Sequence, residues 1–175
     1  MSMPKLPARR PGATPGPRKR FGQHFLEPAW AEKLVAAIAP APSDCFVEVG
    51  PGRGALTAAL ASHAAQVVAI EIDRDLAAGL SRRGLSRTTI IVGDVLKANL
   101  HDLGRRAQYD QPDGRLRLAG NLPFNISSPV LIHILAAQRA GSPFHDATVM
   151  LQREVADRLV AQPGTRGYGP LAIMA

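Results

Sequence analysis

Five short apolar runs, Cys45–Val49, Gln66–Glu71, Thr88–Val92, Leu116–Gly120 and Ala147–Leu151, punctuate the chain, with amphipathic stretches between them. Runs of this length cannot cover themselves, and strands that alternate with helices demand a parallel sheet buried on both faces. The helices follow from spacing. Pro28–Ala39 starts on a proline suited to a first helical position and carries Trp30, Leu34 and Ile38 on one predicted face. A helix with Leu56 and Leu60 follows the glycine turn at Gly52–Gly54, and Asp73–Leu80 has Asp73 as its N-cap. Ser127 is placed to cap a helix running to about Gln138, with Leu131, Ile134 and Leu135 inward, and Arg153–Ala161 reads as the last helix. The polar stretch Asn99–Gly114 gives no clear periodicity. The reading is an α/β fold with a doubly wound, mostly parallel sheet and no internal repeat.

The balance of 46% hydrophobic and 20% charged residues over 175 residues suits one soluble domain. No apolar run is long enough to span a bilayer, and the N-terminus lacks the apolar core of a secretory signal. Cys45 has no partner for a disulfide and reads as a small buried hydrophobe. His63, His101, His133 and His145 show no metal-ligand spacing, so no metal is expected. The net charge of +7 is unevenly placed: Met1–Arg20 holds six of the 21 Lys and Arg residues and none of the 14 acids. Five prolines in the same segment argue against a packed element. The domain reading is a basic, proline-rich tail over residues 1–20 and a single domain over 21–175. The tail fits salt-dependent phosphate contacts, a solvated extension, or a transit peptide.

Ligands bind such sheets beyond the carboxyl ends of the strands, and there the informative residues cluster. The first run ends in Glu48-Val49-Gly50-Pro51-Gly52-Arg53-Gly54. Glycines let the backbone turn sharply and approach a ligand, and their spacing is not the dinucleotide pattern G-x-G-x-x-G. Glu71 closes the second run about twenty residues past Gly50, where a carboxylate can accept both hydroxyls of a ribose. Asp73 and Asp75 serve the helix start better, which leaves Glu71 for a ligand. Asp94 after the third run can accept from an adenine amino group, with Val95 on the ring. The fourth run leads into Asn121-Leu122-Pro123-Phe124-Asn125-Ile126-Ser127. Asn121 offers an amide carbonyl to an exocyclic amine, Pro123 fixes the backbone, and Phe124 offers a face to a planar base. Arg153 and Glu154, after the fifth run, fit a helix-start pair or an RNA contact.

With these residues in view, the chain resembles the ribosomal RNA adenine dimethyltransferase family. The match runs from Lys19 onward: Lys19–Leu26 (KRFGQHFL), Glu48–Gly54, Glu71, Asp94, Asn121–Ser127, Met150–Val155 and Tyr168-Gly169 fall in the family's order. The resemblance implies a Rossmann-like class I fold that binds S-adenosylmethionine, with cofactor contacts at Gln23, His24, Leu26, Gly50, Gly52, Glu71, Asp94, Val95 and Asn121. Asn121, Pro123 and Phe124 would hold the target base. It departs at His24, where members often have Asn, and at Phe124, where many have Tyr. Leu122 and Ser128-Pro129 are closer to the small-subunit branch than to the large-subunit enzymes that confer macrolide resistance. The implied substrate is a pair of adjacent adenosines near the 3′ end of 16S rRNA in a pre-ribosomal small subunit, and the implied setting is a cytoplasmic monomer with no membrane partner. The family's last strands and C-terminal helical domain are expected to be missing, leaving the fifth strand as an edge. Rival readings are a dehydrogenase, a large-subunit rRNA adenine methyltransferase, and a non-catalytic RNA-binding module in ribosome assembly.

Overall fold

The structure, a computed structural model, describes residues 25–108, 110–111, 113–141 and 143–175. The basic segment Met1–Arg20 and the motif residues Phe21, Gly22, Gln23 and His24 lie outside the described residues. The chain forms α1 (Pro28–Ile38), β1 (Cys45–Val49), α2 (Ala55–Ala61), β2 (Gln66–Glu71), α3 (Arg74–Arg82), β3 (Thr88–Val92), α4 (Leu100–Ala107), β4 (Leu116–Asn121), α5 (Ser127–Arg139), β5 (Asp146–Met150), α6 (Arg153–Leu159) and α7 (Pro170–Met174). The sheet is parallel throughout, in the order β3-β2-β1-β4-β5.

Strand burial explains this order. Every residue of β1 is buried, as is β4 up to Gly120, and these two lie side by side in the middle. The half-buried β3 and β5 take the edges, β5 as the sequence suggested. Alternation along β1 splits the core into two layers. Cys45, Val47 and Val49 pack with Leu100 and Leu103 of α4 and Val130, Leu131 and Ile134 of α5. Phe46 faces the other way, against Ala31, Val35 and Ile38 of α1 and Leu56 and Leu60 of α2. Asp73 caps α3 as expected, accepting from the Asp75 and Leu76 amides at 3.0 and 3.5 Å.

Four expectations change. The inward face of α1 is Ala31, Val35 and Ile38, while Trp30 is 52% exposed with the Lys33 ammonium 4.2 Å from its ring centre. Ile38 keeps its expected inward place, and Ala31 and Val35 take the face where α1 lies against α2, with Leu34 partly buried beside them. The stretch Asn99–Gly114 contains α4, capped by Asn99 through the His101 and Asp102 amides at 2.9 and 3.3 Å. Its stripe, Leu100, Leu103 and Ala107, is short and broken by Arg105 and Arg106, which hid the period. Ser127 is the first residue of α5 and not its cap; Ile126 holds that position, and Ser127 Oγ donates to the Phe124 carbonyl at 3.4 Å. The fifth strand begins at Asp146, one residue early, because Asp146 pairs in register with Arg117. The short helix α7 was not foreseen.

That pairing belongs to a charge network under the sheet. Arg117 is almost fully buried and donates to Asp146 at 2.8 Å through Nε and through Nη2, and to Asp44 at 3.1 Å. Arg115 adds a bond to Asp44 at 2.9 Å, so one cluster ties the starts of β1, β4 and β5 together. Burial pushes the Asp44 carboxyl up, but the Ala41 amide and the Arg115 and Arg117 guanidiniums outweigh it and hold it below its ordinary 3.8. A carboxyl lowered on folding stabilises above its unfolded pKa, and that contribution is lost as pH falls through the folded value. Asp44→Ala, which leaves a buried guanidinium short of a partner, is expected to cost about 3 kcal/mol at pH 7 in urea denaturation. The difference between wild type and variant should shrink as pH falls below about 4, where the unfolded carboxyl takes up its proton, and continue to do so through the lower folded value.

Candidate active site

The sheet reverses its direction of growth between β1 and β4, and the loops leaving these strands diverge there. They enclose a cavity of about 290 Å³, near the lower bound of roughly 300 Å³ for small-molecule sites. Four strand ends contribute to its wall. After β1, Gly50 and Gly52 take left-handed backbone angles (φ +68° and +56°) that glycine alone adopts without strain. A Cβ on Gly52 would press on the Phe25 ring at 3.3 Å, so this glycine also allows a close approach.

Glu71, at the end of β2, is buried and lines the cavity. It is not left idle for a ligand: Oε2 accepts from the Gly52 amide at 3.0 Å and Oε1 from the Asp73 amide at 2.9 Å. One carboxylate thereby fixes the glycine loop and the start of α3. A carboxylate has about four acceptor sites, so capacity for a further donor remains. Burial raises the Glu71 pKa, the Asp73 and Gly52 amides oppose it, and the Asp73 charge adds to it. After β3, Asp94 and Val95 line the wall; Asp94 Oδ1 accepts from the Leu96 amide at 3.0 Å, and Val95 is buried.

At the end of β4, Asn121 and Pro123 line the same cavity. The Leu122 amide donates to the Met150 carbonyl at 3.2 Å, which carries the pairing with β5 one residue past Asn121, and buried Leu122 anchors the turn. The structure therefore brings Gly50, Gly52, Glu71, Asp94, Val95, Asn121 and Pro123 to one cavity. Leu26 lines a smaller cavity of about 30 Å³ that shares Phe25, Gly50, Gly52 and Asn121 with the larger one. Phe124 is not brought in: it is 40% exposed, on the turn outside the wall. Gln23 and His24 lie outside the described residues.

Sequence reasoning passed over Phe25, Ile72, Asn125, Ile126 and Glu48. Phe25 lines both cavities, with the Arg53 guanidinium 4.2 Å from its ring centre. Ile72 is 43% exposed, an apolar side chain next to Glu71 and held in the open by its place in the wall. Glu48 carried a signal, an acid within an otherwise apolar strand. Arg153 does not line either cavity; it lies 3.9 Å from Asp157 on an exposed turn of α6. Among the described residues, no cluster of His, Cys, Asp and Glu could hold a metal ion.

A parallel sheet with a glycine loop after β1 and acids closing β2 and β3 is the Rossmann-like architecture of class I methyltransferases. Solved relatives share it: a dimethyladenosine transferase from Plasmodium falciparum is 29% identical with a TM-score of 0.68, over 86% of this chain and 51% of that one. The 23S rRNA methyltransferase ErmE is 25% identical with a TM-score of 0.61, over 78% of this chain and 50% of its own. Residues 16–175 match the family model described as ribosomal RNA adenine dimethylase, and the chain belongs to that family. Curated relatives named ribosomal RNA small subunit methyltransferase A are 49% identical in a Burkholderia species (90% of this chain, 55% of the relative) and 44% identical in Verminephrobacter eiseniae (99% and 60%). The chain thus spans a little over half the length of these relatives.

Glu71→Ala leaves the Gly52 and Asp73 amides without an acceptor. A loss of about 2 kcal/mol in chemical denaturation is expected, with faster amide exchange at Gly52 than at the sheet centre. An unchanged Gly52 exchange rate would rule out the anchoring role.

Proposed function

We propose that this chain is the cofactor-binding part of an enzyme that moves methyl groups from S-adenosylmethionine to the exocyclic amines of two adjacent adenosines near the 3′ end of small-subunit rRNA. The observation that carries this reading is the convergence of four strand ends, with Gly50, Glu71, Asp94 and Asn121, on one cavity. The residues present fit the cofactor. Glu71 keeps lone pairs for ribose hydroxyls, Asp94 and Val95 offer an acceptor and an apolar face for adenine, and Gly50 and Gly52 leave room beside the loop. The choice of the small subunit is supported by relatives of that name at 44–49% identity, against 25% for the large-subunit enzyme ErmE. No helix among the described residues is long and apolar enough to cross a membrane, in keeping with action on ribosomes in the cytoplasm.

When bound, the cofactor supplies an electrophilic methyl group on its sulfonium. The chain's own work is to present the nucleophile. The target adenosine leaves its stack and enters the mouth of the cavity. Its amine donates to the Asn121 side-chain carbonyl and to the backbone carbonyl of the Leu122–Pro123 turn, whose missing N–H keeps the turn from competing. Two acceptors around one nitrogen favour a more tetrahedral amine and free its lone pair from the ring. Phe124, already exposed at the rim, closes on the base by stacking. No strong general base is needed, because the methylated nitrogen is acidic and loses its proton to solvent. Positioning and oriented dipoles then supply most of the acceleration. The basic residues 1–20 would add sequence-blind attraction to phosphates.

Asn121→Ala is expected to lower methyl incorporation into under-methylated small ribosomal subunits by about a hundredfold, while S-adenosylmethionine binding stays measurable by calorimetry. Full activity in that variant refutes the assignment. Phe124→Ala should slow transfer and Phe124→Tyr should not; equal rates remove stacking from the mechanism. NAD in place of S-adenosylmethionine should show no binding, and saturable NAD binding would favour a dehydrogenase.

A further inference from the structure

Phe25 lines both cavities, yet it packs in neither layer of the core. The next residue, Leu26, does pack there, beside α1 and α2, and the Glu27 side chain makes no cap bond that would stiffen the entry to α1. Among the described residues, the glycine loop is what holds the Phe25 ring. A Cβ on Gly52 would stand 3.3 Å from the ring edge, and the Arg53 guanidinium lies over the ring, 4.2 Å from its centre. A cation so placed is attracted by the negative face of the ring. The loop that carries it is fixed from behind. A Cβ on Gly54 would come within 3.0 Å of Arg83 Nη1 and closer still to Leu80. Its absence lets Arg83, at the C-cap of α3, reach across and donate from Nη1 to the Arg53 carbonyl at 2.7 Å. The Arg53 main chain is thereby tied to α3, while its exposed side chain is laid on Phe25.

We infer that Arg53 is a positioning residue for the cofactor: its guanidinium holds the Phe25 ring in place as a wall shared by the two cavities, and so raises the fraction of chains ready to close around the ligand. The inference rests on the proposed cofactor reading. Without the cation the ring keeps its contact with Gly52 but loses its cover, and it leaves the wall for part of the time. Apparent affinity then falls with the fraction of chains in which the wall is complete. A cation on an exposed ring shifts such an equilibrium by about two- to fivefold. The effect is modest in size and specific in kind. It acts through Phe25, it needs a positive charge, and it is the same for any ligand that fills the larger cavity. A direct contact behaves otherwise. Arg53 also lines the small cavity, where a guanidinium would pair with a ligand carboxylate. That pairing would act only on ligands with this group, and it would survive the loss of the Phe25 ring.

Calorimetry of the chain with two ligands tests this: S-adenosylhomocysteine, and methylthioadenosine, which lacks the amino-acid end and its carboxylate. Arg53→Met keeps most of the side chain's length and the carbonyl that Arg83 holds, and it removes only the charge. Its Kd should rise about threefold for both ligands. Arg53→Lys, which still brings a cation to the ring, should bind both close to the wild-type value. Phe25→Leu should weaken binding, and Arg53→Met added to it should weaken it no further. An unchanged Kd in Arg53→Met, a loss confined to S-adenosylhomocysteine, an equal loss in Arg53→Lys, or full additivity in the double variant overturns the inference and leaves the cofactor reading standing. If neither ligand binds the wild-type chain, the cofactor reading fails and takes the inference with it. Should Phe25→Leu not fold, the two ligands and the two Arg53 variants still decide the matter.

Discussion

Parallel pairing of β1 with β2 on one side and β4 on the other is the constraint from which the site follows. Register sets Val49 opposite both Ile70 and Gly120, and Glu71 opposite Val92. The strands therefore end in a row, and whatever follows each is delivered to the same edge of the sheet. Because β2 and β4 lie on opposite sides of β1, the chain leaves that edge in opposite directions, and a cleft must open between the loops. Burial of β1 and β4 fixes the register, since a one-residue slip would turn Val47 and Val49 out of their layer. The hydrophobic core and the cavity are thus two consequences of one pairing.

The same reasoning explains what was legible in the sequence. Strands β1, β2 and β3 match the apolar runs residue for residue: β1 and β2 because a strand buried on both faces leaves an uninterrupted signal, and the half-buried β3 because every residue of Thr88–Val92 is β-branched. Residues just beyond those runs could be placed at the cavity without knowing any packing, since topology alone carries them there. What depends on packing between helices could not be read. Trp30 lost its inward place to Ala31 and Val35, which pack against α2, and α4 was masked by charge on a short helix. Phe124 is a case of direction: its turn is at the site, but its ring lies exposed outside the cavity wall, which residue order alone does not reveal. Glu71 was assigned to a ligand alone because backbone amides at Gly52 and Asp73 leave no trace in a list of side chains.

Two buried acids bracket β1, and their contrast separates scaffold from site. Asp44, just before the strand, meets an amide and two guanidiniums from its own chain and stays ionised below the ordinary range. Glu48, at the other end, meets alanines in register, a hydroxyl and another acid, and is driven up to about 8. Burial penalises both charges alike; the difference lies in who supplies the compensation. Where the fold supplies it, the charge locks three strand starts together and has nothing further to bind. Where the fold withholds it, beside a cavity, burial is answered by keeping the carboxyl protonated. The sequence shows both acids equally, as carboxylates at the borders of one apolar run; only the packing around each decides which is compensated.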